Sequence, residues 1–210
     1  MGSAVLKLWG RISSINVRKA VFAAQETGVE FERIDAGHEF GVVKTPEYLA
    51  RNPNALVPLL EDGDARLWES NVIVRYLCAK YAPGKLYPES LPQRFDAERW
   101  MDWQQTALNP AGRGAFIQWM RTPADKRDMD LIAQSTAATE TLMAMLDQHL
   151  SRRAFMAGDV FTMADIPIAC EMHRWTGLPQ PRPARPHLER WYATVLARQA
   201  SPGVLDISLS

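Results

Sequence analysis

The sequence of 210 residues predicts an α/β unit followed by an all-helical half. Apolar and polar residues alternate in two segments, Ala4–Gly10 and Val29–Asp35, as they do in strands. Between these segments apolar residues recur at helical spacing and stop at Gly28. After the proline-rich stretch Ala82–Pro92 only helical spacing occurs, so the strands are expected in the first half alone.

The first half has the element order β-α-β-α-β-β-α. Strand, helix and strand within roughly thirty residues form a βαβ unit with parallel strands. A short helix is expected around Glu47–Arg51. The segments "LVPLLE" and "ARLW" flank "DGD", which is typical of a hairpin, and a helix follows in "ESNVIVRYLCAKY". This topology is that of a thioredoxin-like domain.

The second half is predicted to be a helical bundle. A bend or an interruption is expected in its first helix, at Pro110 and at the glycines of Gly112–Gly114. We therefore expect a thioredoxin-like domain at 1–82, a linker at 83–92 and an all-helical domain at 93–210. The expected helices are Phe95–Arg121, Asp125–Leu150, Met163–Trp175 and His187–Gln199.

Composition limits the possible partners and compartments. Basic and acidic residues number 24 each, so nothing favours a nucleic-acid partner. No apolar run is long enough for a membrane span, and the first residues do not resemble a secretory signal, so we expect no membrane and a cytoplasmic protein. Cys78 and Cys170 are expected to be free, buried thiols. Cys170 and His173 form a single C-x-x-H without a second ligand pair, so no metal is expected.

A proline stands inside the apolar run "NALVPLL". Proline cannot donate to a ladder and belongs at a strand's start or edge, and Pro58 begins "PLL". A cis Val57–Pro58 bond would turn the backbone N–H and C=O of Val57 toward solvent, where an extended tripeptide could pair with them. The alternative is an ordinary edge proline, which the proline alone favours because about one X–Pro bond in twenty is cis.

The next helix begins with an acidic residue and a hydroxyl residue, Glu69 and Ser70. Unpaired N–H groups and the helix dipole favour an anion there, so Ser70 could bind a ligand carboxylate. Glu69 could hold an ammonium, and the two groups together are those of a free amino-acid head. The alternative is plain capping of the helix by Ser70.

The segment "VPLLEDGDARLWESNVIVRYL" resembles the glutathione-binding segment of the cytosolic glutathione S-transferases. "NPNALVP" and "GDVFTMADIPIA" extend the resemblance over the whole chain, and "LWGRISSINVRK" resembles a bacterial branch with a theta-like, serine-type first helix. The resemblance implies a detoxifying enzyme with glutathione as co-substrate, bound through Val57, Pro58, Glu69 and Ser70, and a homodimer. It also implies a capping box of Thr162 and Asp165 that serves folding.

Such an enzyme must ionise the glutathione thiol. A free thiol has a pKa of about 8.5, so only about 3% is ionised at pH 7. Lowering the pKa by two units requires about 2.7 kcal/mol. One hydrogen bond to a charged group supplies roughly 1.5–3 kcal/mol and a helix N-terminus roughly 0.3–1. By resemblance Ser14 is the thiolate donor, with Asn16 as helper or substitute; the alternative is that Ser13 or Ser14 only caps the helix.

The remaining candidate residues bind the ends of the two substrates. His38, Lys44 and Asn54 are candidates for the glycyl end of glutathione, and each is alternatively a solvated loop residue. Arg113, between two glycines, is the most suggestive candidate for an anionic or halogenated small electrophile, although it is alternatively a surface arginine. The electrophile site is expected to comprise Arg11, Arg113, Phe116, Trp119 and Met120.

Two other functions remain open at this point. The fold could serve a non-catalytic binding or stress-response protein, or another glutathione-dependent enzyme such as an isomerase or a peroxide reductase. The turn before the first helix contains neither tyrosine nor cysteine, which disfavours tyrosine-type transferases and thiol reductases.

Overall fold

The computed structural model describes residues 5–209, which divide into two units between Tyr87 and Pro88. The division falls within the stretch Ala82–Pro92, which contains three prolines and one glycine. Ala4, at the start of the first expected strand, lies outside the described residues.

The first unit contains a four-stranded sheet in the order β2-β1-β3-β4. The parallel pair β1 and β2 confirms the βαβ unit, since Leu6 lies opposite Phe31. The antiparallel pair β3 and β4 confirms the hairpin, which turns at Gly63 with φ 58°. The strands are β1 (Leu6–Trp9), β2 (Phe31–Ile34), β3 (Leu59–Asp62) and β4 (Ala65–Trp68).

From residue 5 onward, three α-helices accompany the sheet of the first unit and give the thioredoxin-like arrangement. They are α1 (Ile15–Thr27), α2 (Pro46–Leu49) and α3 (Ser70–Tyr81). Helix α1 ends at Gly28, whose φ of 70° is one that glycine adopts without steric cost. Helices α1 and α3 pack against each other, and Phe22 and Leu77 are fully buried.

In its described residues the second unit forms helices joined by loops and contains no β-strand, as predicted. Its α-helices are α4 (Leu91–Trp103), α5 (Asn109–Arg121), α6 (Met129–Leu150), α7 (Asp165–Thr176) and α8 (Pro186–Leu196). A π-helical turn, Gln104–Leu108, joins α4 to α5 just before Pro110. Pro110 has no N–H to bond the carbonyl of Thr106, and its ring crowds that carbonyl, so the irregular turn lies where the proline requires it.

The expected interruption at Gly112–Gly114 is wrong, because α5 continues through both glycines. A Cβ added to Gly114 would lie 3.1 Å from the Cβ of Ser135 on α6. The Ser135 hydroxyl also accepts a hydrogen bond from the N–H of Ala115 at 3.0 Å. The glycines therefore allow close packing of two helices and do not break one.

The two cysteines have the environment that the sequence indicates. Cys78 and Cys170 are both free and buried, as predicted. Within residues 5–209, no helix has both the length and the apolar character that a membrane crossing requires. In the same part of the chain, no three side chains of His, Cys, Asp or Glu come together as metal ligands do.

Candidate active site

The peptide bond between Val57 and Pro58 is cis, as predicted. Pro58 is buried, and the paired part of β3 begins one residue later, at Leu59. Among the hydrogen bonds of residues 5–209, none uses the backbone N–H or C=O of Val57. Both groups are therefore available to an extended peptide beside the sheet.

Gly10 in the first βα turn and Gly37 after β2 both lie close to Val57. A Cβ added to Gly10, at φ 147°, would lie 2.4 Å from Val17 Cγ2 and 3.1 Å from Val57 Cβ. A Cβ added to Gly37 would lie 3.3 Å from Val57 Cγ1. The cis-proline segment and the start of α1 therefore occupy one place in the first unit.

Two buried polar side chains fix the loop that precedes the cis bond. The carbonyl of Leu56 accepts from Tyr48 Oη at 2.7 Å and from Asn52 Nδ2 at 2.8 Å. Asn52 is 1% exposed, and its Oδ1 accepts from the N–H of Asn54 at 3.1 Å. The loop also contains Ala55 at φ 55°, a rare conformation for a residue with a Cβ. Neither Tyr48 nor Asn52 is among the residues expected at the site; the only signal in the sequence is the asparagine pair in "NPNALVP".

Ser14 occupies the N-cap position of α1 without capping it through its side chain. Its carbonyl accepts from the N–H of Arg18 at 2.9 Å, and its own N–H donates to Arg11. Among residues 5–209, the hydroxyls of Ser13 and Ser14 form no hydrogen bond. Capping by either hydroxyl is therefore not observed, and a half-buried donor remains available at a helix N-terminus.

Glu69 and Ser70 stand at the start of α3 with different environments. Glu69 is the N-cap residue, is exposed, and has φ 71°, which is unusual for a residue that is not glycine. Ser70 is 3% exposed, and its hydroxyl donates to Oδ1 of Asn16 at 3.2 Å. Neither side chain caps α3. The structure thus brings Asn16, a residue of the first turn of α1, to Ser70.

The candidates for the glycyl end lie in exposed loops of the first unit. His38 Nδ1 lies 2.6 Å from Oε2 of Glu39, and its φ is 52°. Asn54 Nδ2 donates to Asn52 at 3.2 Å. Lys44 is exposed, and within the described chain its ammonium has no hydrogen-bond or ion-pair partner. Lys44 is therefore the cation of this set that is most available to a carboxylate.

The electrophile candidates differ in accessibility. Arg113 on α5 is exposed and has no ion pair within residues 5–209, and Met120 is partly buried. Phe116 is only 8% exposed, and the guanidinium of Arg174 lies 5.5 Å from its ring centre. The ring of Phe116 therefore belongs to the interior of the second unit.

Trp119 and Arg11 complete that set. Trp119 Nε1 donates to Gln180 Oε1 at 3.2 Å, and the guanidinium of Arg127 lies 5.0 Å from its ring centre. Arg11 belongs to the first unit, where its Nη1 would lie 3.5 Å from a Cβ added to Gly37. The five candidates therefore come from both units.

Comparisons with known proteins match both units. The model of the glutathione S-transferase N-terminal domain matches residues 4–79, and that of the C-terminal domain matches 111–199. Glutathione S-transferase GstB of Escherichia coli is 40% identical over 98% of this chain and 100% of its own. The chain belongs to the glutathione S-transferase family. It is a transferase whose co-substrate is glutathione.

Solved structures agree with this family membership. A theta class glutathione S-transferase from Xanthomonas axonopodis pv. citri, solved with glutathione bound, superposes with a TM-score of 0.95. It is 41% identical to this transferase and covers 98% of this chain and 99% of its own. Glutathione S-transferase 3 of Zea mays is 32% identical over 94% of this chain and 91% of its own. The bacterial matches support the bacterial branch suggested by the first helix.

The capping box of the transferase is present as predicted. Oδ2 of Asp165 accepts from the N–H of Thr162 at 2.9 Å, and the hydroxyl of Thr162 accepts from the N–H of Ala164 at 3.4 Å. Oδ1 of Asp165 accepts from the N–H of Met156 and from Trp191 Nε1. Complete burial raises the pKa of Asp165 to about 6. This box holds the start of α7 and has no free group for chemistry.

Proposed function

We propose that the protein ionises the thiol of glutathione with the Ser14 hydroxyl and transfers the thiolate to an electrophilic carbon of a small molecule. The observation that carries this proposal is the Ser14 hydroxyl itself. It stands at the N-terminus of α1 and has no partner among residues 5–209, although a serine at that position usually caps the helix.

The energy available from this position is sufficient. A hydrogen bond to a thiolate supplies roughly 1.5–3 kcal/mol, and the N-terminus of α1 adds roughly 0.3–1 kcal/mol. Together they account for a pKa about two units lower, so no general base is needed. Turnover then gains further from holding the thiolate and the electrophile together.

The rest of the glutathione molecule is assigned to the cis-proline segment and the start of α3. The free N–H and C=O of Val57 pair with the cysteinyl backbone, as in the addition of a short strand. The γ-glutamyl carboxylate binds at Ser70 and its ammonium at Glu69. Lys44 is the preferred cation for the glycyl carboxylate, with His38 and Asn54 as further candidates.

The second substrate is a small electrophile of anionic or halogenated type. An exposed guanidinium without an ion pair in the described chain, that of Arg113, supports an anionic group on this substrate. Further candidates for this substrate are Arg11 of the first unit, and Trp119 and Met120 of the second. Phe116, because it is buried, supports α5 from inside the second unit.

We also propose a cytoplasmic homodimer. Both properties are typical of the family, and two free buried thiols suit a reducing compartment. Light scattering coupled to size-exclusion chromatography gives the mass directly, and a monomer of 23.7 kDa would contradict the dimer.

The function is tested with two substrates of different charge. Wild-type protein is expected to bind glutathione in a calorimetric titration and to conjugate it to both a small haloacid and a neutral aryl halide. Arg113→Gln is expected to raise KM for the haloacid about tenfold and to leave the aryl halide unchanged. Arg152→Gln, at another exposed arginine, serves as the matched control.

Other outcomes would assign a different function to the protein. Glutathione binding without conjugation of any electrophile in the panel would make the protein a binding module. Reduction of peroxides, or isomerisation without a glutathione adduct, would assign one of the other glutathione-dependent reactions.

A further inference from the structure

The first turns of two helices are joined by one side-chain hydrogen bond. The Ser70 hydroxyl, at the start of α3, donates to Oδ1 of Asn16 at 3.2 Å. Ser70 is 3% exposed and Asn16 is half-buried, so little water competes for this bond. The two residues are 54 positions apart, and the packing of α1 on α3 brings them together.

A serine hydroxyl has a single proton. Because Oδ1 of Asn16 can only accept, the bond to Asn16 uses this proton, which cannot then be donated to a ligand carboxylate as well. If the Ser70 hydroxyl donates its hydrogen bond to a carboxylate instead, the oxygen of Ser70 faces Oδ1 of Asn16, and the lone pairs of the two oxygens repel each other. The conflict disappears when the amide of Asn16 turns over and Nδ2 donates to Ser70. The terminal torsion of asparagine is broad enough to allow both orientations.

We propose that Asn16 is a positioning residue for the γ-glutamyl carboxylate of glutathione, acting through Ser70, and is not a second thiolate donor. This inference rests on the proposed function of the same site. In the bound state Asn16 Nδ2 donates to the Ser70 oxygen, and the Ser70 hydroxyl donates to the carboxylate. Hydrogen bonds in such a chain polarise and strengthen one another.

The contrast with Ser14 supports this division of roles. Ser14 lies two positions before Asn16, and within residues 5–209 its hydroxyl has no partner, whereas the amide oxygen of Asn16 is already engaged by Ser70. In the proposed bound state Nδ2 of Asn16 is used by Ser70, and the remaining amide oxygen is an acceptor that would repel a thiolate. The first turn of α1 therefore supplies one residue to the sulfur and one to the other end of the ligand.

The test compares two ligands and four variants by calorimetry. The ligands are glutathione and its analogue with 4-aminobutanoyl in place of γ-glutamyl, which lacks only the carboxylate in question. The variants are Asn16→Ala, Asn16→Asp, Ser70→Ala and the double alanine variant. Thermal unfolding and the thiol pKa of bound glutathione are measured in parallel, and Asn16→Asp keeps the size of the side chain if Asn16→Ala folds poorly.

The expected results separate the ligands. Asn16→Ala weakens glutathione binding about fivefold and leaves the analogue unchanged, because one neutral hydrogen bond is lost. Asn16→Asp weakens glutathione more than Asn16→Ala, since a carboxylate cannot donate and repels the ligand's own carboxylate. The double variant binds no more weakly than Ser70→Ala, and the thiol pKa stays that of wild type.

Three results would overturn the inference. A raised thiol pKa in Asn16→Ala with unchanged affinity would make Asn16 a thiolate donor. Equal losses for the two ligands would make its role structural. Additive losses in the double variant would show that Asn16 does not act through Ser70. Absence of glutathione binding by folded wild-type protein would instead overturn the proposed function itself, together with this inference.

Discussion

Helices α1 and α7 begin near similar side chains, which accept hydrogen bonds from backbone N–H groups at α7 but not at α1. At α7 the Thr162 hydroxyl and the Asp165 carboxylate accept hydrogen bonds from backbone N–H groups, and Asp165 is completely buried. At α1 the Ser14 hydroxyl stands at the N-cap, half-buried, and makes no cap bond. Both are favoured N-cap residue types, so the residue type alone does not separate them.

The difference shows how a helix start is used for folding or for binding. A cap that satisfies its own helix contributes stability and leaves nothing for a ligand. A helix start with an unused hydroxyl gives up that stability and keeps a donor and a positive dipole end for an anion. The start of α3 resembles α1, because the Ser70 side chain also does not cap its helix.

The largest expected effect is the loss of the satisfied cap. Asp165→Ala leaves the N–H groups of Met156, Thr162 and Trp191 buried without their acceptor. We expect the free energy of unfolding to fall by about 3–5 kcal/mol, measured by urea denaturation. Asp128→Ala, which removes an exposed cap of α6, is the control and should cost about 1 kcal/mol. Equal losses of unfolding free energy in the two variants would contradict the claim that burial makes the cap at Asp165 the more stabilising one.

At α1 we expect a loss of activity with little change in stability. Ser14→Ala should lower turnover about 10- to 100-fold, because a hydrogen bond to a charged sulfur is lost. The free energy of unfolding should change by less than about 0.5 kcal/mol, since the hydroxyl makes no hydrogen bond within residues 5–209. Ser13→Ala removes a neighbouring unbonded hydroxyl and should change neither quantity. Unchanged turnover in Ser14→Ala would transfer the role to another group.

Ser70→Ala is expected to have a smaller effect, confined to binding. KM for glutathione should rise about tenfold while turnover at saturation is nearly unchanged, since the lost contact is with the ligand's distal end. Steady-state kinetics with varied glutathione measures both constants. A fall in turnover equal to that of Ser14→Ala would remove the distinction between the two helix starts.

The smallest effect is expected from the loop before the cis bond. Tyr48→Phe removes one of the two hydrogen bonds to the Leu56 carbonyl and should cost about 1 kcal/mol of unfolding free energy. Burial raises the pKa of Tyr48 from 10.0 to about 12. Above pH 10 the unfolded state therefore loses this proton first, and wild-type stability should fall as pH rises toward 12.

Tyr48→Phe lacks this titration, so it should show a smaller decline over the same range in urea denaturation. Parallel declines in the two proteins would show that the Tyr48 hydroxyl titrates normally. The affinity of Tyr48→Phe for glutathione, compared with that of wild type, shows separately how far this loop positions Val57.

Local sequence signals predicted much of the fold and part of the site. Alternation and the "DGD" turn predicted the sheet. The cis bond was indicated by the resemblance of the whole segment, because the proline alone favoured an ordinary edge position. Gly112 and Gly114 were misread as a helix break, because their role depends on Ser135 of another helix. Tyr48 and Asn52 were missed since a buried bond to a loop carbonyl leaves no local pattern. The bond from Ser70 to Asn16 joins segments 54 residues apart and has no periodic signature.

The central claim is that the Ser14 hydroxyl holds the sulfur of glutathione as an anion. The pKa of the bound thiol, followed by the ultraviolet absorbance of the thiolate across a pH titration, tests it directly. We predict a pKa about two units below that of free glutathione in wild-type protein, and a return of one unit or more in Ser14→Ala. A variant that binds glutathione with the same low thiol pKa would contradict the claim.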